Sequence, residues 1–283
     1  MEVKGAWGLV TGGLCAWRLP GDESGPAAAR RLLHQAMSEL RLDRDVIEDG
    51  KLAVSETATN ALRHAGTARS DRPPTPPELW IWARTVPSPQ LIVSVFDGER
   101  ASTPRAAGAG LLDEHGKGLQ LVREVTSDWG SAPTRSRVST VPVYGKAVWF
   151  ALPLPREWPG LHYRVHPGTA AQHLLLNLTR RGFEGTRNTA DDGMSVLVLP
   201  DLNVWVHRRT FCWWATPHRY VRRPLIDLQE TTELLVRHLD SVRLAEQLRD
   251  LRAYGRQRTA ELGIEPADIP ERIREFLKGA DGT

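Results

Sequence analysis

Residues 52–67 read LAVSETATNALRHAGT, and most of what can be inferred about the first half of this chain radiates from them. Glu56, Asn60 and His64 recur at every fourth position, which on a helix puts them on one face. The surrounding periodicity predicts that helix from about residue 43 to 65, with Val46, Ile47, Leu52, Ala53 and Leu62 in its apolar stripe and Gly66 placed to stop it. A carboxamide oxygen is a hard donor suited to Mg2+, which prefers oxygen ligands and keeps several waters. A carboxylate one turn away can take a proton from an attacking hydroxyl or water. The plain alternative for Glu56 and Asn60 is a solvated polar stripe, and for His64 a packing role.

An earlier helix is expected over residues 26–40, opened by Pro26 behind a polar cap and carrying Leu32, Leu33, Ala36, Met37 and Leu40. The weakly apolar segment 5–17 reads as an edge strand. On the other side, the proline-rich run 70–77 can be neither helix nor central strand. Residues 79–85 and 91–96 then read as a hairpin around the turn at Pro87 and Pro89. The second strand ends in VSVFDG, residues 93–98. An ionised carboxylate only accepts hydrogen bonds, so Asp97 suits the exocyclic amino group of adenine and disfavours the carbonyl of guanine; otherwise it is a turn-forming Asp. Residues 103–112 are small and aperiodic and read as a mobile loop. GKGLQLV, residues 116–122, follows as a glycine turn into a helix, where backbone N–H groups of Gly116, Lys117, Gly118 and Leu119 can face phosphate. It is not a Walker A loop, since no G-x-x-x-x-G-K-[ST] occurs. Two more strands are expected over residues 138–143 and 147–152.

Each of these motifs is weak alone, but their order and spacing are specific. The Glu56/Asn60 helix, Asp97-Gly98, the Gly116–Gly118 turn and the closing GKAVWF strand at 145–150 together resemble the histidine-kinase-like ATPases of the Bergerat fold. Within them the chain is most similar to the anti-sigma-factor serine/threonine kinases, over about residues 13–154. The resemblance implies a two-layer α/β sandwich (α+β), an antiparallel-rich mixed sheet with helices on one face. It implies ATP and Mg2+ as cofactors, with Asn60 on the metal and Glu56 as general base toward a protein serine. Asp97 would bind adenine, while Gly98, Gly116 and Gly118 would shape the pocket and Lys117 reach a phosphate. The partner implied is a sigma factor or an antagonist of the anti-anti-sigma kind. One departure stands out: Asp97 is followed by Gly98, Glu99 and Arg100, so the first glycine box keeps one glycine of two. That makes ATP binding the firmer expectation and leaves open a catalytically inactive, nucleotide-gated interaction module.

Pro153, Pro155, Pro159 and Gly160 suggest a boundary between a nucleotide-binding domain, 1–156, and a second domain, 161–283. The latter reads as a small α+β module: a helix at 169–181, a three-stranded meander at 194–215, and a C-terminal helix at 231–252 whose Arg- and Glu-rich faces look solvated. Trp205, Phe211, Trp213 and Trp214 read as its core, with an exposed partner-binding patch, or a nucleic-acid stacking face helped by Arg208, Arg209, Arg222 and Arg223, as the alternatives. The helical tail admits a homodimer. The net charge of +3 is too small to argue for nucleic-acid binding on its own, and direct binding is not expected; a DNA-binding regulator is the least supported reading. Lys occurs only five times among 37 basic residues, a bias that fits GC-rich bacterial coding. Two distant cysteines exclude a disulfide framework or a structural zinc site. With no apolar run of membrane-spanning length and no cleavage-site pattern, a cytoplasmic location is expected.

Overall fold

The computed structural model describes residues 6–65, 75–99, 117–158, 165–191, 193–261 and 270–278. It divides into two compact units, Met1–Arg237 and His238–Thr283. Gly66, Gly116, the proline-rich residues up to 74 and the loop expected at 103–112 lie outside the described residues.

The first unit contains two five-stranded, wholly antiparallel sheets. In the first, β1 (Cys15–Arg18), β2 (Glu78–Arg84), β3 (Gln90–Asp97), β4 (Asp128–Arg135) and β5 (Tyr144–Pro153) lie in the order β1-β2-β3-β5-β4. The mixed sheet implied by the resemblance is therefore corrected to an antiparallel one. Helices α1 (Gly25–Glu39), α2 (Arg44–Ala65) and α3 (Lys117–Val125) belong to the same half. Leu33, Met37, Val54, Ala58 and Val122 from the helices form one core with Leu79, Ile81, Val93, Val95, Phe150 and Leu152 from the strands. Strand alternation explains the set: alternate residues of β2, β3 and β5 face the helices and the others face away.

Several expectations shift. Segment 5–17 is a 3-10 helix, Ala6–Thr11, with the edge strand confined to Cys15–Arg18. Leu52, placed in the apolar stripe of α2, is exposed. No strand covers residues 138–143; the strand is β4, which contains Gly130 and Pro133 and is mostly half-exposed. An edge strand tolerates proline because one row of its N–H groups needs no ladder partner.

Beyond residue 164 come α4 (Pro167–Arg180) and the second sheet, β6 (Thr186–Thr189), β7 (Ser195–Leu199), β8 (Leu202–His207), β9 (Thr210–Thr216) and β10 (Arg219–Pro224), in order β10-β9-β8-β7-β6. Pro167 sits in the first turn of α4, and the His166 side chain caps it, accepting from the Gly168 N–H at 3.2 Å. The expected three-strand meander is the centre of this sheet. Phe211 and Trp213 are buried as expected, but Trp214 is half exposed and stands against Tyr220. Proline-rich 153–160 falls between the two sheets, both of which lie in the first unit.

The back face of the first sheet is not bare. Trp80, Trp82, Phe96, Ile92 and Ala151 form a second core there, and the first turns of α5 (Leu228–Glu261) lie against it. The contact is a buried polar layer. Trp82 Nε1 donates to Glu230 Oε2 at 2.9 Å, and Arg84 Nη1 pairs with Glu230 at 3.4 Å. Glu233 takes Arg137 at 2.6 Å, Thr134 Oγ1 at 3.0 Å, and Arg181. Arg137 also lies over both Trp80 and Trp82, 5.3 Å from each ring centre. Burial works against the Glu233 charge, but Arg181 and Arg137 hold its carboxyl well below the usual range. Burial likewise brings Arg137 down to about 10 against the pull of Glu233. Glu233 thus corrects the expectation that the charged faces of this helix beyond residue 231 are solvated, and Glu230, just before that span, is buried as well. In the second unit, the remainder of α5 meets α6 (Glu271–Lys278): Arg256 Nη1 donates to the Leu277 carbonyl at 2.8 Å, and Arg252 lies over Phe276.

Candidate functional site

The sequence-selected residues lie on α2, at the end of β3 and at the start of α3, three elements that share the core on the helix-covered face of the first sheet. Leu91, Val93 and Val95 of β3 face the helical layer, and the same alternation turns Asp97, the last residue of the strand, toward that layer. Directly opposite it on β5 is Lys146, in an otherwise apolar run. Both side chains are buried, and Lys146 Nζ lies 3.2 Å from Asp97 Oδ1. Nζ also donates to the Glu99 carbonyl at 3.0 Å, and the Glu99 N–H returns to Asp97 Oδ1 at 2.9 Å. The other carboxylate oxygen, Oδ2, is buried and has no hydrogen-bond partner among the described residues. Burial raises the Asp97 pKa to about 6, with Lys146 and the Glu99 N–H opposing it.

Two glycines have steric reasons to be here. A Cβ on Gly145 would meet the Asp97 carbonyl oxygen and the Phe96 ring, so the turn into β5 requires a bare Cα beside the strand end. A Cβ on Gly118 would collide with the Glu56 carboxylate, which shows that the N-terminal turn of α3 runs directly past that side chain of α2. Gly98 abuts Thr75, at 3.0 Å from an added Cβ.

On α2, Glu56 and Asn60 lie one turn apart and are partly buried. Asn60 Nδ2 is buried without a hydrogen-bond partner among the described residues. A buried amide left unpaired costs about 1–3 kcal/mol, so its retention calls for a purpose. Leu119 is buried in α3. Lys117 opens α3, and His64 lies in α2, but only the backbone of each is described. Gly118 thus lies against Glu56, one turn of α2 from Asn60, while Asp97 and Gly98 lie at the end of β3, a strand that shares its core with α2 and α3; Gly116 is outside the described residues.

Comparison with protein-family models returns no match, and comparison with curated proteins returns none.

Lys146 is the site residue that sequence reasoning missed. Its signal was a lone Lys within an apolar strand, but its role depends on the β3–β5 register that sets it opposite Asp97. No group of three or more His, Cys, Asp or Glu side chains among the described residues could hold a metal. A divalent ion here would have to rest on Asn60, ligand oxygens and water, an arrangement Mg2+ accepts. Two described cavities, of about 420 and 470 Å³, lie elsewhere, against α4 and the start of α5.

Proposed function

We propose that this chain is an ATP-binding regulatory protein of the Bergerat fold, similar to the anti-sigma-factor serine/threonine kinases. The observation that carries the reading is the pair of buried, unpartnered polar atoms, Asp97 Oδ2 and Asn60 Nδ2, at the strand end and on the helix where an adenine and a metal-bound phosphate are expected. Both fit those groups. Oδ2 is an open acceptor, which suits an N–H of the exocyclic amino group of adenine. The Asn60 amide can turn end over end to offer Oδ1 to a hard cation. Bound Mg2+ would supply charge neutralisation of the β- and γ-phosphates.

The protein's own groups have separable tasks. Lys146 keeps Asp97 ionised and fixes its plane by holding Oδ1. Glu56, held where α3 passes it at Gly118, is the base that would take the proton of a partner serine hydroxyl. The N-terminal turn of α3, from Lys117, would face phosphate with unpaired N–H groups. The partner proposed is a sigma factor or an antagonist of one.

A second reading, a nucleotide-gated interaction module without catalysis, is favoured by the lone Gly98 after Asp97. On it, ATP alters partner affinity through differential contact with two states. Phosphate transfer from γ-labelled ATP to a candidate partner separates the two. Kinase action predicts label on the partner that Glu56→Gln reduces by about 100-fold or more, the usual worth of a general base. Equal labelling with Glu56→Gln would remove Glu56 as the base; no labelling beside tight nucleotide binding would leave the gating reading.

A further inference from the structure

The two cavities against α4 have Asn177, Arg180 and Gln229 in both linings, so they adjoin there as two lobes. Their linings differ in character. The lobe of about 420 Å³ runs along residues 137–140 and presents Arg137, Arg181, Ser139 and Thr140. The lobe of about 470 Å³ is predominantly aliphatic, with Val165, Leu176, Leu225 and Leu228 around His173. Both lie within the size range of small-molecule pockets, about 300–1,000 Å³.

The charge of the cleft is one-sided. No Asp or Glu is among the described residues that line either lobe. Arg137 and Arg181 share a single carboxylate, Glu233. Arg181 keeps a buried Nε with no hydrogen-bond partner among the described residues. Arg180, at the junction, is exposed on α4, and its guanidinium makes no ion pair or hydrogen bond with any described residue. Arg137 and Arg181 are balanced by Glu233 and by Glu78, which accepts from the Arg137 and Val138 N–H groups, so the cation unpartnered among the described residues is Arg180, and its place between a mixed lobe and an apolar lobe matches a ligand with an acidic head and an apolar body.

We infer that this cleft binds a small amphipathic anion, a carboxylate with an aliphatic chain, with the carboxylate at Arg180 and the chain against Leu176, Leu225 and Leu228. The site is independent of the nucleotide site: none of its lining residues belongs to β3, α2 or α3.

The test is calorimetric titration of the full chain with decanoate, beside decyltrimethylammonium, for wild type, Arg180→Glu and Leu176→Trp. Arg180 and Leu176 are both exposed, so the variants should fold, and matching circular dichroism melts establish that they do. The expected result is saturable one-to-one decanoate binding, weakened about tenfold or more by Arg180→Glu, as loss of a charge-assisted contact implies. Leu176→Trp, which fills the aliphatic lobe, should weaken it similarly, and the cationic probe should bind wild type at least about tenfold more weakly than decanoate. Absence of saturable decanoate binding, binding as tight as wild type by either folded variant, or no preference for the anion would overturn the inference.

Discussion

At the scale of single residues, Asp97 carries the sharpest consequence. Its folded pKa, about 6, lies above the ordinary 3.8. The native state therefore binds this proton more tightly than the unfolded chain does. The contribution to stability is fully present below about pH 4 and is lost as pH rises through about 6. Asp227 is pushed the same way, also to about 6, so the difference between wild type and Asp97→Asn isolates the first group. Nucleotide affinity should move oppositely. Protonation at the unpartnered Oδ2 sets an O–H donor against the adenine amino group and removes the charge, so ATP binding should weaken as pH falls below about 6 in wild type, while Asp97→Asn should bind weakly throughout; calorimetry at pH 5 and pH 7.5 reads both. Gly118→Ala should separate stability from activity. The added methyl displaces only the flexible end of Glu56, so thermal stability should change by less than about 1 kcal/mol, yet phosphate transfer to a partner should fall sharply if Glu56 acts as base. Glu56, Asn60 and Asp97 were legible as candidates because side-chain spacing and strand position are local properties. Lys146 was not, because its meaning is a cross-strand contact.

At the scale of elements, α1, α2, α3 and the β2–β3 hairpin were legible because each has an amphipathic period or an apolar run bounded by turn residues. Three strands were not. β4 contains Gly130 and Pro133, β6 is exposed along its whole length, and β10 carries Arg219, Arg222 and Arg223. All three are edge strands, where solvent replaces one neighbour and hydrophobic alternation fades. Within the sheet, Gly145→Ala should be costly. Its Cβ meets backbone and an aromatic ring, neither of which yields easily, so a loss of roughly 1–3 kcal/mol is expected in denaturant unfolding. The same change should weaken ATP binding through displacement of the Asp97 carbonyl; unaltered stability would show that the strand end relaxes freely.

At the scale of the whole molecule, the back face of the first sheet is where sequence reading reached least far. Trp80 and Trp82 read as strand residues, and Glu233 as part of a solvated helix face; the contacts of Trp82 with Glu230, and of Arg137 with both Trp80 and Glu233, are long-range facts. Glu233 compensates Arg137 and Arg181 together, so Glu233→Ala should destabilise by about 3–5 kcal/mol, the usual consequence of leaving buried charge uncompensated. Because the Glu233 pKa is lowered, its own contribution should persist through the neutral range and be lost only in strong acid. A fragment ending at residue 156 would uncover Trp80, Trp82 and Phe96 and should aggregate.

The central claim is that an adenine nucleotide occupies the end of the sheet between Asp97 and Asn60. Titration of the full chain with Mg-ATP, for wild type beside Asn60→Ala and Asp97→Asn, addresses it most directly. Saturable binding in wild type is predicted, with affinity reduced about tenfold or more in each variant, in keeping with the loss of one charge-assisted or metal contact. Absence of binding in wild type, or unchanged binding in both variants, would contradict it.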